Sequence, residues 1–150
     1  MNELLEIKTA IQAGKPVSVV FEAIANPQQM SDYFIAYGSG RLEEGKTIQW
    51  RFPEFDMEFP IRVGKIIPDS YLSYWWTNDG VETLVEITLT PAAAGSTVVT
   101  VTEKSRNNDE DGRRWLMQNT EGWANFLACL KAWLEYGINL RNGAFDFLKS

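Results

Sequence analysis

The sequence predicts an α+β fold in which a curved antiparallel sheet wraps around one long C-terminal helix. Three observations carry that expectation. Residues 46–104 alternate with a period of two and are rich in aromatic and β-branched side chains, the pattern of half-buried strands. Only one face of these strands is consistently apolar, so one side of the sheet is wet and the other needs a cover. The cover is EGWANFLACLKAWLE, residues 121–135. There Trp123, Phe126, Leu127, Leu130, Trp133 and Leu134 recur at spacings of three and four and make one broad stripe.

The elements follow in order. Leu5, Ile7, Thr9 and Ile11 alternate with polar residues and predict a first strand, broken by Gly14. Pro16 suits a first helical turn, and Val17, Val20, Phe21 and Ile24 form the stripe of a first helix. Asn26-Pro27 ends that helix and caps a short second one reaching Tyr33 or Phe34. Tyr37 to Gly45 reads as a glycine-rich loop. Ile48, Trp50 and Phe52 then share a strand face. Met57 to Ile67 aligns Met57, Phe59, Ile61 and Val63, and Pro60 marks it as an edge or bulged strand. After a turn at Pro68-Asp69, Leu72, Tyr74 and Trp76 point one way and Tyr71, Ser73 and Trp75 the other. Asn78-Asp79-Gly80 is a turn signal. In the strand from Val81 to Thr90, Val85, Ile87 and Leu89 oppose Glu82, Glu86 and Thr88. Beyond a turn at Pro91 to Gly95, Val99, Val101 and Glu103 share the face opposite Thr100 and Thr102. The closing helix starts near Asp109 to Gly112 and ends about Tyr136.

Composition bounds the function. The 150 residues, 45% apolar and 23% charged, fit one domain over 1–150, with a core of about 5–136 and a C-terminal extension 137–150. A net charge of -6 without a basic cluster argues against nucleic acid as a partner. MNELLEIKTAIQ lacks the apolar run of a signal peptide, and no segment approaches the ~20 apolar residues of a membrane span. The single cysteine, Cys129, lies within the apolar helix and reads as a small buried hydrophobe. A cytoplasmic protein is the simplest expectation.

Several stretches, in this order, resemble a known family. PVSVVFEAIANPQQMSDYF, residues 16–34, is similar to the opening helical segment of the SRPBCC (START/Bet v 1-like) superfamily, and most of all of its AHSA1 family, the activators of the Hsp90 ATPase. VGKIIPDSYLSYWW, residues 63–76, resembles that family's strand-Pro-strand hairpin. LTPAAAGSTVVTVTE, residues 89–103, resembles its penultimate hairpin, and EGWANFLACLKAWLE its last helix. The resemblance covers roughly Leu5 to Tyr136 and implies the helix-grip fold. It implies function less narrowly, because the superfamily includes ligand carriers, cyclases, hydrolases and chaperone partners linked to stress responses. Many relatives carry a histidine where Glu103 stands, and the tail beyond Tyr136 has no counterpart.

The chain has no histidine, which removes Ser-His and Cys-His nucleophile pairs and leaves metals only carboxylates and one thiol. No metal and no cofactor are expected. NNDEDG, residues 107–112, fits half of a calcium loop, but its closing position falls on the neutral Gln118. It reads instead as a helix start, with Asn107 capping and Glu110 three residues later. Glu103 has inward parity. There it would serve as a polar ligand anchor or as a general acid or base, the one catalytic candidate. The simpler reading is a strand-end side chain reaching solvent past the helix. Trp50, Phe59, Tyr74 and Trp76 of the sheet face Trp123, Phe126, Leu127 and Leu130 of the helix. Residues of this kind form a solid core by default, and the resemblance puts a ligand cavity on an equal footing.

The leading expectation is therefore a non-enzymatic protein that holds a small hydrophobic or aromatic molecule between sheet and helix, with Glu103 as the polar contact. The alternatives are a protein-interaction module acting on a chaperone or other ATPase, or a homodimer, through Tyr71, Trp75 or the tail. A cyclase or hydrolase working through Glu103 stands third.

Overall fold

The alternating segments pair into one antiparallel sheet in a computed structural model that describes residues 3–149. Its strands are β1 (Leu4–Ala13), β2 (Tyr37–Gly38), β3 (Thr47–Arg51), β4 (Glu58–Ile67), β5 (Tyr71–Asn78), β6 (Val81–Ala92) and β7 (Ser96–Asn107). The sheet order is β1-β7-β6-β5-β4-β3-β2. Helices α1 (Val17–Ala25) and α2 (Pro27–Met30) link β1 to β2, and α3 (Glu110–Tyr136) follows β7. The chain therefore adopts the α+β helix-grip arrangement, a curved seven-stranded sheet against a long C-terminal helix.

Parity decides what faces the helix. Ile61, Val63, Leu72, Tyr74, Val85, Ile87, Val99 and Val101 are buried. They meet Trp123, Phe126, Leu127 and Leu130 from α3, each fully buried apolar side chain contributing roughly 1.5–3 kcal/mol. The sheet closes onto the end of α3 through its edge strand: Lys131 Nζ donates to the Gln12 carbonyl at 2.8 Å, and the Gly14 amide donates to Glu135 at 3.0 Å. Among the described residues no helix is long and apolar enough to cross a membrane.

Two local expectations are corrected, and a third is decided between its two alternatives. The loop expected over 37–45 contains β2, which pairs Tyr37 with Arg51. Of the two alternatives for the Pro60 strand, β4 is bulged and not an edge. Its pairing with β5 ends at Arg62, so Pro60 sits where β3 alone is hydrogen-bonded to β4, and a register shift falls between Val63 and Ile66. Asn107 does not cap α3, because β7 runs on to it and pairs it with Leu4. The cap is Asp109, whose Oδ1 accepts from the Gly112 amide at 2.7 Å. Position 112 must be glycine, since a Cβ there would stand 1.9 Å from the Asn107 carbonyl oxygen. Asp109→Ala is expected to cost about 1 kcal/mol in urea unfolding; an unchanged midpoint would show that this cap is dispensable.

A candidate ligand-binding cleft at one end of the sheet

Glu103 does not reach solvent; its exposure is 0%. It lies at a point of β7 where β5, β6 and α3 all bring donors to the inner face. Trp76 Nε1 donates to Oε2 at 2.9 Å and Thr83 Oγ1 to the same oxygen at 2.6 Å. Trp123 Nε1 donates to Oε1 at 2.8 Å and Asn119 Nδ2 at 3.1 Å. A carboxyl group without a cation partner is expensive to bury, and here four converging donors offset that cost. The result is mechanical: one side chain fixes two indoles from opposite layers, with their rings 5.6 Å apart.

Those indoles form a wall of a cleft of about 530 Å³. Phe34, Phe52 and Phe59 extend the wall, Phe55 and Met57 lie at its exposed rim, and Thr77, Asn78 and Asp79 close the end of the β5–β6 hairpin. On the helix side it is bounded by Asn119, Gly122 and Trp123. Gly122 widens it, because a Cβ at that position would meet nothing within 4 Å. The volume falls inside the roughly 300–1,000 Å³ of typical small-ligand pockets, and the lining joins six aromatic rings to six polar or charged side chains.

The family model described as "Activator of Hsp90 ATPase homolog 1-like protein" matches residues 15–135. The chain belongs to the AHSA1 family. Solved structures agree with the assignment. The crystal structure of SSP2350 from Staphylococcus saprophyticus is 33% identical, with a TM-score of 0.79, covering 91% of this chain and 96% of that one. DynU16, a putative protein in the dynemicin biosynthetic locus, is 26% identical with a TM-score of 0.78; the match covers 89% of this chain and 48% of that longer one. The Aha1 dimer from Colwellia psychrerythraea shares the fold at 21% identity and a TM-score of 0.77, covering 89% and 98%. No curated protein matches the chain in sequence.

The AHSA1 match stops at residue 135, whereas Arg141 and Leu148 also line the cleft. The tail thus adds to the AHSA1 frame. Gly137 ends α3 with a φ of 65°, turning the chain back over the sheet end. Arg141 is the anchor: Nη2 donates to Glu54 at 2.6 Å, with side-chain exposures of only 14% and 3% for the pair. The guanidinium also stacks near Phe34, Phe52 and Phe145, at 5.6, 5.2 and 5.0 Å from their ring centres. The tail's apolar side chains are more exposed, Phe147 reaching 80%. The tail therefore docks on its own domain, through arginine rather than phenylalanine; Ser150 lies outside the described residues. In Glu54→Gln, trypsin is expected to cut after Arg141 about ten-fold faster, while global stability falls by under about 1 kcal/mol because the released guanidinium can hydrate. Unchanged cleavage would contradict the anchor.

Of the side chains singled out in the sequence, Phe59, Trp76 and Trp123 line the cleft. Trp50, Tyr74, Phe126, Leu127 and Leu130 are buried behind it, and Glu103 supports its wall from within. The Tyr74 hydroxyl has no partner among the described residues, and burial, then the neighbouring Glu103, push its phenol well above the ordinary range. Burial likewise pushes the Cys129 thiol up, with Arg141 acting weakly against it. On the outer face Trp75 lies under Arg62 at 5.2 Å, and the Tyr71 hydroxyl donates to Glu86 at 2.5 Å, so both rings are half covered. Sequence reasoning missed Phe34, Phe52, Glu54, Asn119, Gly122 and Arg141. Of these Phe52, alternating with Ile48 and Trp50, and Gly122, a glycine inside a long helical pattern, carried a local signal.

Proposed function

We propose that this AHSA1 protein binds a small, mainly apolar molecule in the aromatic cleft and does not transform it. The observation that carries this reading is a wall of Trp76 and Trp123 held rigid by Glu103 beside open volume. Rigid rings lose little freedom on binding, so apolar burial, at ~25 cal/mol per Å², is left to set affinity. Turnover is the weaker reading because both Glu103 oxygens already accept two donors each. Taking or giving a proton there would break the lattice that holds the indoles. Glu54, the other buried acid at the cleft, is engaged by Arg141. Native mass spectrometry of freshly purified protein tests the proposal. A co-purifying small molecule, displaced when Gly122 is enlarged, is expected; a mass equal to the bare chain, together with no response to added aromatic compounds, would count against it.

A second reading has its own observation. Phe55, Met57 and Leu148 form an exposed apolar rim around the cleft. Such a rim suits a protein partner, an ATPase chaperone among them, or a second copy of the chain. We place the protein in a reducing compartment on its single buried thiol and read 1–150 as one domain.

A further inference from the structure

The hydrogen bonds behind the cleft fix the polarity of what it presents. Asn119 gives Nδ2 to Glu103, whose oxygens are acceptors for both indoles, so the amide is oriented with Oδ1 turned away from Glu103. Among the described residues no hydrogen bond reaches that Oδ1, and Asn119 lines the cleft. Two more acceptors line the same cleft. Asp79 lies at the rim, and Glu54 has only Oε1 engaged by Arg141. The one guanidinium in the lining gives Nη2 to Glu54 and lies against three phenyl rings, and its buried Nε has no acceptor among the described residues. The Asn78 Nδ2 is buried with no acceptor among the described residues. Three carboxyl groups, with Glu103 behind the wall, thus outnumber one cation, which is itself paired with Glu54. Aromatic ring faces add to the preference for positive over negative charge.

We propose that the ligand carries an N–H or O–H donor, as an amine, phenol or alcohol, which bonds Asn119 Oδ1, and that the cleft discriminates against carboxylic acids. This deepens the binding proposal and rests on it. Asp79 strengthens the preference for a cationic amine, and Asn119 that for any donor.

Matched probes on one ring system test it by calorimetry at neutral pH: naphthalene, 2-naphthol, 2-naphthylmethylamine and 2-naphthoate. The amine and the naphthol are expected to bind about ten-fold more tightly than the naphthoate, the scale of one buried hydrogen bond. Naphthoate binding as tightly as naphthol would overturn the inference and leave the cleft as a binding site. Failure of all four to bind would overturn the binding proposal itself. Asn119→Ala should lower naphthol affinity several-fold more than naphthalene affinity, any loss for naphthalene measuring the lost bond to Glu103. An equal loss for both would assign Asn119 to scaffolding alone and overturn the inference. Asp79→Asn, at a φ of 51° that asparagine adopts readily, should weaken only the amine; an unaffected amine would contradict the charge preference.

Discussion

Glu103→Leu is expected to lower unfolding stability by about 4 kcal/mol, although it exchanges a buried acid for a hydrophobe. The sign depends on which effect wins. Removing an uncompensated acid from a core is favourable, but Glu103 is compensated by Trp76, Thr83, Asn119 and Trp123. Leucine would strand the buried Thr83 and Trp123 and the half-buried Trp76 and Asn119, at about 1–3 kcal/mol for each one that finds no other acceptor. Thr83 can rotate and Asn119 can turn toward the cleft, which keeps the total below four full penalties. Glu103→Gln separates shape from chemistry. It keeps the volume and one acceptor oxygen, but sets its NH2 against an indole donor on whichever side it lies, so about half the leucine loss is expected. Urea unfolding of the two variants measures both. A leucine variant within about 1 kcal/mol of the native protein would mean that the four bonds contribute little beyond what water supplies.

Gly122→Phe should separate binding from stability. Glycine inside a helix costs about 1 kcal/mol relative to alanine, and the Cβ position at 122 is open, so both Ala and Phe are expected to hold or raise thermal stability. The same benzyl group would project into the 530 Å³ cleft beside Trp123 and exclude a ligand, lowering affinity for naphthalene probes by ten-fold or more. Loss of stability with binding intact would place the ligand elsewhere.

The fold was legible because its signals are local. Alternation assigns Tyr74 and Trp76 to one face and Trp75 to the other without knowledge of any partner, and the spacing of Trp123, Phe126, Leu127 and Leu130 does the same for α3. Parity also put Glu103 on the covered face. Its surroundings were not legible, since its four donors come from three other elements and no spacing links them, which is why a solvent-reaching side chain looked simpler. The position of the cleft was hidden for a related reason. Part of its wall comes from Glu54 and Phe55, between two strands, and from Arg141 in the tail, where no period relates residue to face. The interior between sheet and helix, expected to share the ligand, is largely filled by Trp50, Tyr74 and Phe126. The open volume lies beyond them, at the end of the sheet. Asn107 was misread as the cap because a strand end and a helix start share the same polar run.

The most direct measurement follows the indole N–H signals of the six tryptophans in a two-dimensional 15N–1H spectrum as 2-naphthol is added. Trp76 and Trp123 should move together and saturably, while Trp50 and Trp133 stay close to their starting positions. A saturable shift that spares Trp76 and Trp123, or no saturable shift up to about 1 mM, an affinity near -4 kcal/mol, would contradict a ligand held against the two rings that Glu103 fixes.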